Sequence, residues 1–115
     1  MPIIQVNTDF VSNHLSHQTD FCMNLKLAAA SIKELQLSPT QVSVICNSPF
    51  LCDRHEILVF VDGLFDKPER TPEVRQRLAE VIRLEIEKVF PNKYVEVFIR
   101  PFDPTWGFSA TPRSD

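Results

Sequence analysis

A strand, a helix and a strand follow one another twice in this chain, and this doubled order constrains its fold more than any other feature. Residues 2–8 and 42–46 are rich in β-forming side chains, and a helical pattern lies between them. Residues 57–61 form an unbroken apolar run, typical of a central strand covered on both faces. Residues 94–100 alternate in polarity, and a second helical pattern precedes them.

Each copy is a βαβ unit, in which the two strands run parallel and are joined by a right-handed crossover. The first unit spans residues 2–47 and the second spans residues 56–100. We therefore predict an α+β fold with a four-stranded mixed sheet and two helices on one face. Residues 1–115 are interpreted as a single domain, in which residues 101–115 form a C-terminal tail. The other face of the sheet needs a cover, and oligomerisation is the simplest way to supply it.

Apolar residues three and four positions apart predict both helices. The first helix is expected from about Ser16 to Leu35, and the second begins after Thr71, a good N-cap, and stops at Pro91. Asp62 and Gly63 are expected to end the third strand before a loop. The predicted buried stripes are Phe21, Leu25, Ala28, Ile32 and Leu35 in the first helix and Val74, Leu78, Val81, Ile82 and Val89 in the second.

Charge and cysteine usage exclude several classes of protein. Twelve basic against fifteen acidic residues give a net charge of −3, which disfavours nucleic-acid binding. No apolar run reaches the roughly 18 residues of a membrane span, and no secretory signal is visible. Cys22, Cys46 and Cys52 are odd in number and form no C-x-x-C, so we expect small core or loop cysteines and a cytoplasmic protein. His14 and His17 with Cys22 are too few for a metal site, and we expect neither metal nor cofactor.

The order βαββαβ also fits ferredoxin-like domains, which include RNA-binding and small-molecule regulatory modules. Residue 2 distinguishes between these non-enzymatic domains and an enzyme. Pro2 follows the initiator methionine and opens the first strand. Removal of Met1 would leave a free secondary amine that is both a base and a nucleophile. Burial and nearby cations would keep this amine neutral near pH 7, which suits moving a proton α to a carbonyl. A cation is also needed to hold a substrate carboxylate and the developing enolate.

Two stretches carry a resemblance to a known family, M-P-I-I-Q-V at residues 1–6 and F-V-D-G-L-F-D-K-P-E-R-T-P-E-V-R-Q-R-L-A-E-V-I at residues 60–82. With them the chain resembles the tautomerase superfamily, which includes proteins like 4-oxalocrotonate tautomerase, macrophage migration inhibitory factor and cis-3-chloroacrylic acid dehalogenase. The resemblance implies a homotrimer of doubled βαβ units, with pockets at the subunit interfaces around Pro2. It implies a cofactor-independent keto–enol tautomerase acting on a small carboxylated substrate.

The resemblance also implies site residues. The catalytic proline carries over onto Pro2, and the second loop arginine of the dehalogenase branch falls on Arg70. The first loop arginine falls near Asp66 or Lys67, so Lys67 is a substitute. The last-strand tyrosine of the inhibitory-factor branch falls on Tyr94. The pocket lysine of the inhibitory-factor branch falls on Leu37 and is missing, and the dehalogenase Glu and His have no match, so dehalogenation is not expected.

One candidate comes from the sequence pattern itself. Arg100 ends a strand beside the expected pocket and is a further candidate for substrate binding, although a salt bridge between subunits is an equal alternative. The competing function is a non-enzymatic module, either of tautomerase fold or a ferredoxin-like domain that binds a small molecule.

Overall fold

The computed structural model describes residues 2–8, 18–47 and 56–103. Met1, His14, His17 and Cys52 lie outside these residues, as do the expected helix start at Ser16 and the tail beyond residue 103. The strands are β1 (Ile3–Asn7), β2 (Ser43–Asn47), β3 (Glu56–Phe65) and β4 (Tyr94–Phe102), and the helices are α1 (Gln18–Ala30) and α2 (Pro72–Val89).

The four strands form one mixed sheet in the order β2-β1-β3-β4. β1 pairs with β2 in parallel, β3 pairs with β4 in parallel, and the two halves join through the antiparallel pair β1–β3. Both helices cover the same face, where Ile4, Val6 and Val59 are fully buried. The predicted α+β fold with two parallel strand pairs and helices on one face is confirmed.

The first helix is shorter than its apolar pattern suggested. α1 ends at Ala30, and the chain continues through a 3₁₀ turn at Lys33–Leu35. Ile32 and Leu35 are nevertheless buried, because a 3₁₀ turn keeps the three-residue spacing that brings them to one side. Ala29, and not Ala28, occupies the buried position in the last turn of α1, since the ridge that begins at Phe21 advances in steps of four.

The second helix follows its local signals closely. The Thr71 hydroxyl accepts a hydrogen bond from the Val74 amide at 3.3 Å, and Pro72 is the first helical residue. The buried ridge repeats every fourth residue, so Phe90 is covered whereas the predicted Val89 is exposed. Its members are Val74, Leu78, Ile82, Ile86 and Phe90. Phe90 meets Phe21 of α1 edge to face, at 6.0 Å between ring centroids, and so joins the two helices.

The third strand does not end at Asp62 and Gly63 as the sequence indicated. A β-bulge lies between Val61 and Leu64, and Gly63 adopts φ 76° within it. Only glycine enters this region without a steric penalty, so the strand bends here and continues to Phe65. The extra residue turns Leu64 into the core, where it is 1% exposed.

Neither of the two helices, nor any other described element, covers the sheet face away from the helices. We call it the open sheet face, and by strand register it consists of Ile3, Gln5, Asn7, Ser43, Ile45, Asn47, Leu58, Phe60, Asp62, Tyr94, Glu96, Phe98 and Arg100. Ile45 and Phe98 are more than two-fifths exposed on it. Across the described part of the chain, neither helix combines the length and the apolar character that crossing a bilayer requires.

Candidate active site

Three strand ends meet at one edge of the sheet. Because β1 and β2 are parallel and β3 runs against them, the beginnings of β1 and β2 lie beside the end of β3, with Ile3 opposite both Ser43 and Asp62. Pro2 lies just before β1, and its carbonyl accepts a hydrogen bond from the Ser43 amide at 3.0 Å. Pro2 is buried, so the residue predicted to be catalytic is held at this edge and away from bulk solvent.

A cavity of about 200 Å³ opens beside Pro2. At roughly 30 Å³ per molecule this is the space of six or seven waters, which suits a small organic ligand. The described residues that line it are Pro2, Gln36, Leu37, Gln41, Gly63, Phe65, Lys67 and Arg70. Lys67 and Arg70 are the charged members of this set, and no carboxylate is among these eight residues. The described lining of the cavity next to Pro2 therefore carries two positive side chains and no negative one.

The wall opposite the end of β3 comes from the turn that follows α1. Gln36 has φ 54° and ψ 46°, the left-handed conformation, and its amide donates to the Lys33 carbonyl at 3.0 Å. This conformation turns the chain sharply and brings Gln36 and Leu37 to the cavity. A left-handed glutamine costs backbone energy, since only glycine and, less often, asparagine or aspartate adopt it readily.

Arg70 joins the two walls. Its Nη1 donates to the Phe65 carbonyl at 2.7 Å, and its Nη2 donates to the Leu35 carbonyl at 3.0 Å. The residue is only 7% exposed, and burial lowers the pKa of its guanidinium, an effect that the nearby Glu69 opposes. No carboxylate among the described residues forms a salt bridge with Arg70, and its buried Nε has no hydrogen-bond partner among them. The guanidinium of Arg70 therefore has an unpartnered Nε–H and no salt bridge among the described residues.

Lys67 is the exposed cation of the cavity. Its carbonyl accepts from the Arg70 amide at 2.9 Å, which closes the turn between the end of β3 and α2. The acidic neighbour Asp66 lies near Arg75, with 3.9 Å between its Oδ1 and Nη1 of Arg75. Among the described residues no carboxylate forms a salt bridge with Lys67, so its ammonium group is available to a ligand.

The structure does not bring the other two sequence-predicted residues to this cavity within one chain. Arg100 lies on the open sheet face, where its Nε and Nη2 each donate to Asp62 at 2.6 Å and its guanidinium stacks over the Phe60 ring at 4.4 Å. Asp62 raises the pKa of Arg100 through these hydrogen bonds. Tyr94 begins β4, opposite Glu56, and so lies at the other end of the sheet. A role for either residue in substrate binding requires a second subunit.

Three cavity residues had no signal that sequence reasoning could use. Gln36 and Gln41 are polar residues in a stretch without periodicity, and Phe65 was assigned to a loop beyond the end of β3. Their positions depend on the left-handed turn and on the bulge at Gly63. Among the described residues no group of three or more metal-ligating side chains occurs.

The fold matches that of solved tautomerase structures. Fused wild-type 4-OT, in a symmetric trimer, matches with a TM-score of 0.69 and 15% identity over 90% of this chain and 87% of its own. N1, of the cis-3-chloroacrylic acid dehalogenase family, matches with a TM-score of 0.59 and 17% identity over 86% and 75% of the two chains. Pt0534 inactivated by 2-oxo-3-pentynoate matches with a TM-score of 0.60 and 12% identity over 89% of this chain and 85% of its own. No family model and no curated protein matches the sequence. The fold that the resemblance implied is confirmed.

Proposed function

We propose that this chain of tautomerase fold is a cofactor-independent tautomerase that acts on a small carboxylated keto or enol compound. In this proposal the nitrogen of Pro2, freed by removal of Met1, is the general base. The observation that carries it is the composition of one small cavity, whose described lining places a buried proline beside two cations and contains no carboxylate. This is the arrangement that proton transfer next to a carbonyl requires.

The surroundings of Pro2 support a neutral amine at physiological pH. A free α-amino group titrates near about 8, and both burial and nearby positive charge favour its neutral form. Pro2 is buried, and Lys67 and Arg70 line the same cavity. We therefore expect an unprotonated nitrogen that can take a proton from the carbon next to the substrate carbonyl. The C–H electron pair moves toward the carbonyl oxygen, and the proton is returned to oxygen or carbon to complete the isomerisation.

The two cations have different parts in this reaction. Lys67 has an exposed ammonium group and would hold the substrate carboxylate. Arg70 keeps two hydrogen bonds to backbone carbonyls, and the positive charge of its guanidinium, at the wall of the cavity, would stabilise the second carboxylate oxygen or the developing enolate. Their charge favours the enolate over the ground-state ketone, which lowers the barrier. That Pt0534 is inactivated by 2-oxo-3-pentynoate, itself a carboxylated ketone, supports a ligand of this class.

We further propose that the protein is a homotrimer in which the open sheet face is covered by neighbouring subunits. The exposed Ile45 and Phe98 and the half-covered Phe60 support an interface here, because an apolar sheet face gains by leaving water. Fused 4-OT forms trimers, both symmetric and asymmetric. In such an assembly Arg100 or Tyr94 of a neighbour could approach the cavity. Light scattering tests this, and a monomer would contradict it.

The decisive experiment compares ketonisation of phenylpyruvate and 2-hydroxymuconate by the wild type and two variants. Pro2→Ala should lower kcat/KM by about a hundredfold or more, the usual contribution of a general base. The second variant carries one alanine before Pro2, which keeps the ring and converts its nitrogen to an amide. We expect it to be inactive while the fold is retained. Equal rates in all three proteins would overturn the proposal and leave the non-enzymatic binding module.

Lys67→Met tests the carboxylate contact, and Lys88→Met is its matched control. Lys88 is an exposed lysine near the far end of α2 and pairs with Glu85. Loss of a charged hydrogen bond is worth about 1.5–3 kcal/mol, so we expect KM to rise by about tenfold or more in Lys67→Met only. Equal KM values in the two variants would show that Lys67 does not bind the substrate.

A labelling experiment with 2-oxo-3-pentynoate identifies the nucleophile directly. A neutral amine adds to the alkyne that is conjugated to the ketone: a new N–C bond forms, the triple bond becomes a double bond, and the amine proton ends on carbon. The protein then gains the whole mass of the reagent. Intact-mass measurement before labelling reports whether Met1 is absent, and peptide mapping should place the added mass on Pro2. Retention of Met1, or labelling elsewhere, would contradict the mechanism.

A further inference from the structure

Two cysteines from different elements meet on the helix-covered side of the sheet. Cys22 lies in α1 and Cys46 lies in β2, 24 residues later, and their sulfur atoms are 4.0 Å apart. Both residues are partly exposed and both are free thiols. Neither lines the cavity beside Pro2, so this pair is separate from the proposed active site.

We propose that Cys22 and Cys46 form an intramolecular, reversible disulfide when the chain meets a peroxide. The peroxide oxidises one thiol to a sulfenic acid and releases water. The second thiol then attacks that sulfur, the S–S bond forms, and the hydroxyl group leaves with the thiol proton as a second water. Two hydrogens leave the protein, and the peroxide accepts the two electrons.

The geometry favours this bond over other fates of the thiols. A disulfide needs sulfur atoms about 2.05 Å apart, so the existing contact must shorten by about 2 Å, which rotation of two cysteine side chains can supply. Cys46 belongs to β2, which is an edge strand of the sheet and is bonded to a neighbour on one side only among the described strands. An edge strand can adjust without breaking a second ladder. The two sulfur atoms are thus already in contact, and the strand that carries Cys46 can shift.

The surroundings of Cys46 indicate which thiol reacts first. Burial, together with the neighbouring Cys22, raises the pKa of the Cys46 thiol to about 12. Cys46 therefore stays protonated at neutral pH and can donate its S–H to Cys22. The thiolate is the form that attacks a peroxide, so Cys46 is not expected to be the first thiol oxidised.

The bond would close the chain segment that forms one wall of the cavity. Residues 22–46 include the 3₁₀ turn Lys33–Leu35, a second 3₁₀ turn Pro39–Gln41, and the cavity residues Gln36 and Leu37. A cross-link across this segment restricts the unfolded chain and raises the unfolding temperature of the oxidised protein.

Peptide mapping after oxidation tests the proposal on the full-length chain. The protein is reduced, freed of reductant, treated with hydrogen peroxide at low protein concentration, and its remaining thiols are blocked with N-ethylmaleimide. Trypsin cleaves after Lys33 and Arg54 with no site between, so Cys46 and Cys52 share one peptide and Cys22 lies in another. The Cys52→Ser variant removes this ambiguity. It should yield a peptide pair joined through Cys22 and Cys46, lighter by two hydrogens, and dithiothreitol should release it.

Cys22→Ser and Cys46→Ser are the matched controls, and each should lose the intramolecular cross-link while Cys52→Ser keeps it. Cys22→Ser changes a partly exposed position, and circular dichroism checks that it folds. An oxidised Cys52→Ser protein whose two cysteines remain fully alkylatable would overturn the proposal. So would a cross-link found only between two molecules on a non-reducing gel. Because the readout is the bond itself, either result leaves the proposed tautomerase activity untouched.

Discussion

Arg70 and Arg100 carry the same charge near the same end of the sheet, and their partners give them opposite properties. Arg70 is buried and donates to two neutral backbone carbonyls, of Leu35 and Phe65. Arg100 is exposed and gives two hydrogen bonds to the carboxylate of Asp62. Carbonyl acceptors orient a guanidinium without neutralising it, whereas a carboxylate cancels it. The difference teaches that the acceptors of an arginine decide whether its charge remains available to a ligand.

The pKa values of the two arginines shift in opposite directions. Burial lowers the pKa of Arg70, because a charge without a counter-ion is costly away from water. The hydrogen bonds that Arg100 donates to Asp62 raise the pKa of Arg100. A substrate carboxylate that enters the cavity would give Arg70 the salt bridge that it lacks among the described residues, whereas at Arg100 it would have to displace Asp62.

The largest effect that separates the two arginines is expected on stability. Arg70→Met removes two hydrogen bonds and leaves the carbonyls of Leu35 and Phe65 without their donor. An unsatisfied buried polar group costs about 1–3 kcal/mol, so we expect the free energy of unfolding to fall by about 2–4 kcal/mol in urea denaturation. Arg70→Lys should restore part of this loss, because one ammonium can reach one carbonyl. An Arg70→Met protein as stable as the wild type would contradict the bridging role.

The left-handed turn beside Arg70 also has an expected effect on stability. Gln36→Gly relieves a conformation that costs a side-chain-bearing residue about 1–2 kcal/mol, less the entropy that glycine loses on folding, so we expect a gain of up to about 1 kcal/mol. Asn92, at φ 68°, is the matched control. Asparagine tolerates this region, so Asn92→Gly should gain less.

The double variant Arg70→Met/Gln36→Gly tests whether the guanidinium holds the turn in place. Arg70 bonds the carbonyl of Leu35, the residue before Gln36, so the two substitutions should not be additive. Strictly additive changes in the free energy of unfolding would mean that the turn forms without help from Arg70.

Whether a feature of this molecule could be predicted from the sequence depends on how far apart in the chain the residues that determine it lie. The N-cap at Thr71 and the strand patterns are local, and both were predictable. Pro2, Lys67 and Arg70 were identified through short motifs and meet at one cavity. The left-handed Gln36 and the carbonyl that Arg70 finds on Leu35, 35 residues away, depend on tertiary contacts that no local pattern encodes. Arg100 was named from its position at a strand end, which does not reveal its pairing with Asp62.

Arg100→Met should behave differently from Arg70→Met when protein concentration is varied. The Arg100–Asp62 pair lies on the open sheet face, so in a single chain its loss exposes no buried group. If subunits cover this face, Arg100→Met weakens association, and its effect on unfolding grows as the protein is diluted. The effect of Arg70→Met is intramolecular and should add a constant loss at every concentration. A concentration-independent Arg100→Met phenotype would argue against burial of this pair between subunits.

The smallest expected effect concerns a third arginine, Arg77 of α2, which pairs with Glu34 on the turn that precedes Leu35. A hydrogen bond from the backbone of Glu34 itself, followed by the one from Arg77, lowers the pKa of the Glu34 carboxyl below 4.5. The folded state thus favours the ionised form, so this contribution to stability is present above pH 4.5 and is lost as the pH falls through the lowered pKa. Glu34→Gln should be slightly less stable than the wild type at neutral pH.

The difference in stability between Glu34→Gln and the wild type should disappear as acid protonates Glu34. The midpoints of urea denaturation at neutral and acid pH measure this difference. Salt should narrow the neutral-pH difference as well, because both side chains are exposed and their attraction is screened. Glu87→Gln, which breaks the exposed Arg83 pair inside α2, is the control for removing any surface carboxylate. A difference that persists unchanged in acid would show that the Glu34 side chain stabilises the turn through its packing. In that case Arg70 and packing alone would hold the carbonyl of Leu35 in place, and the charge of the Glu34 carboxylate would contribute nothing.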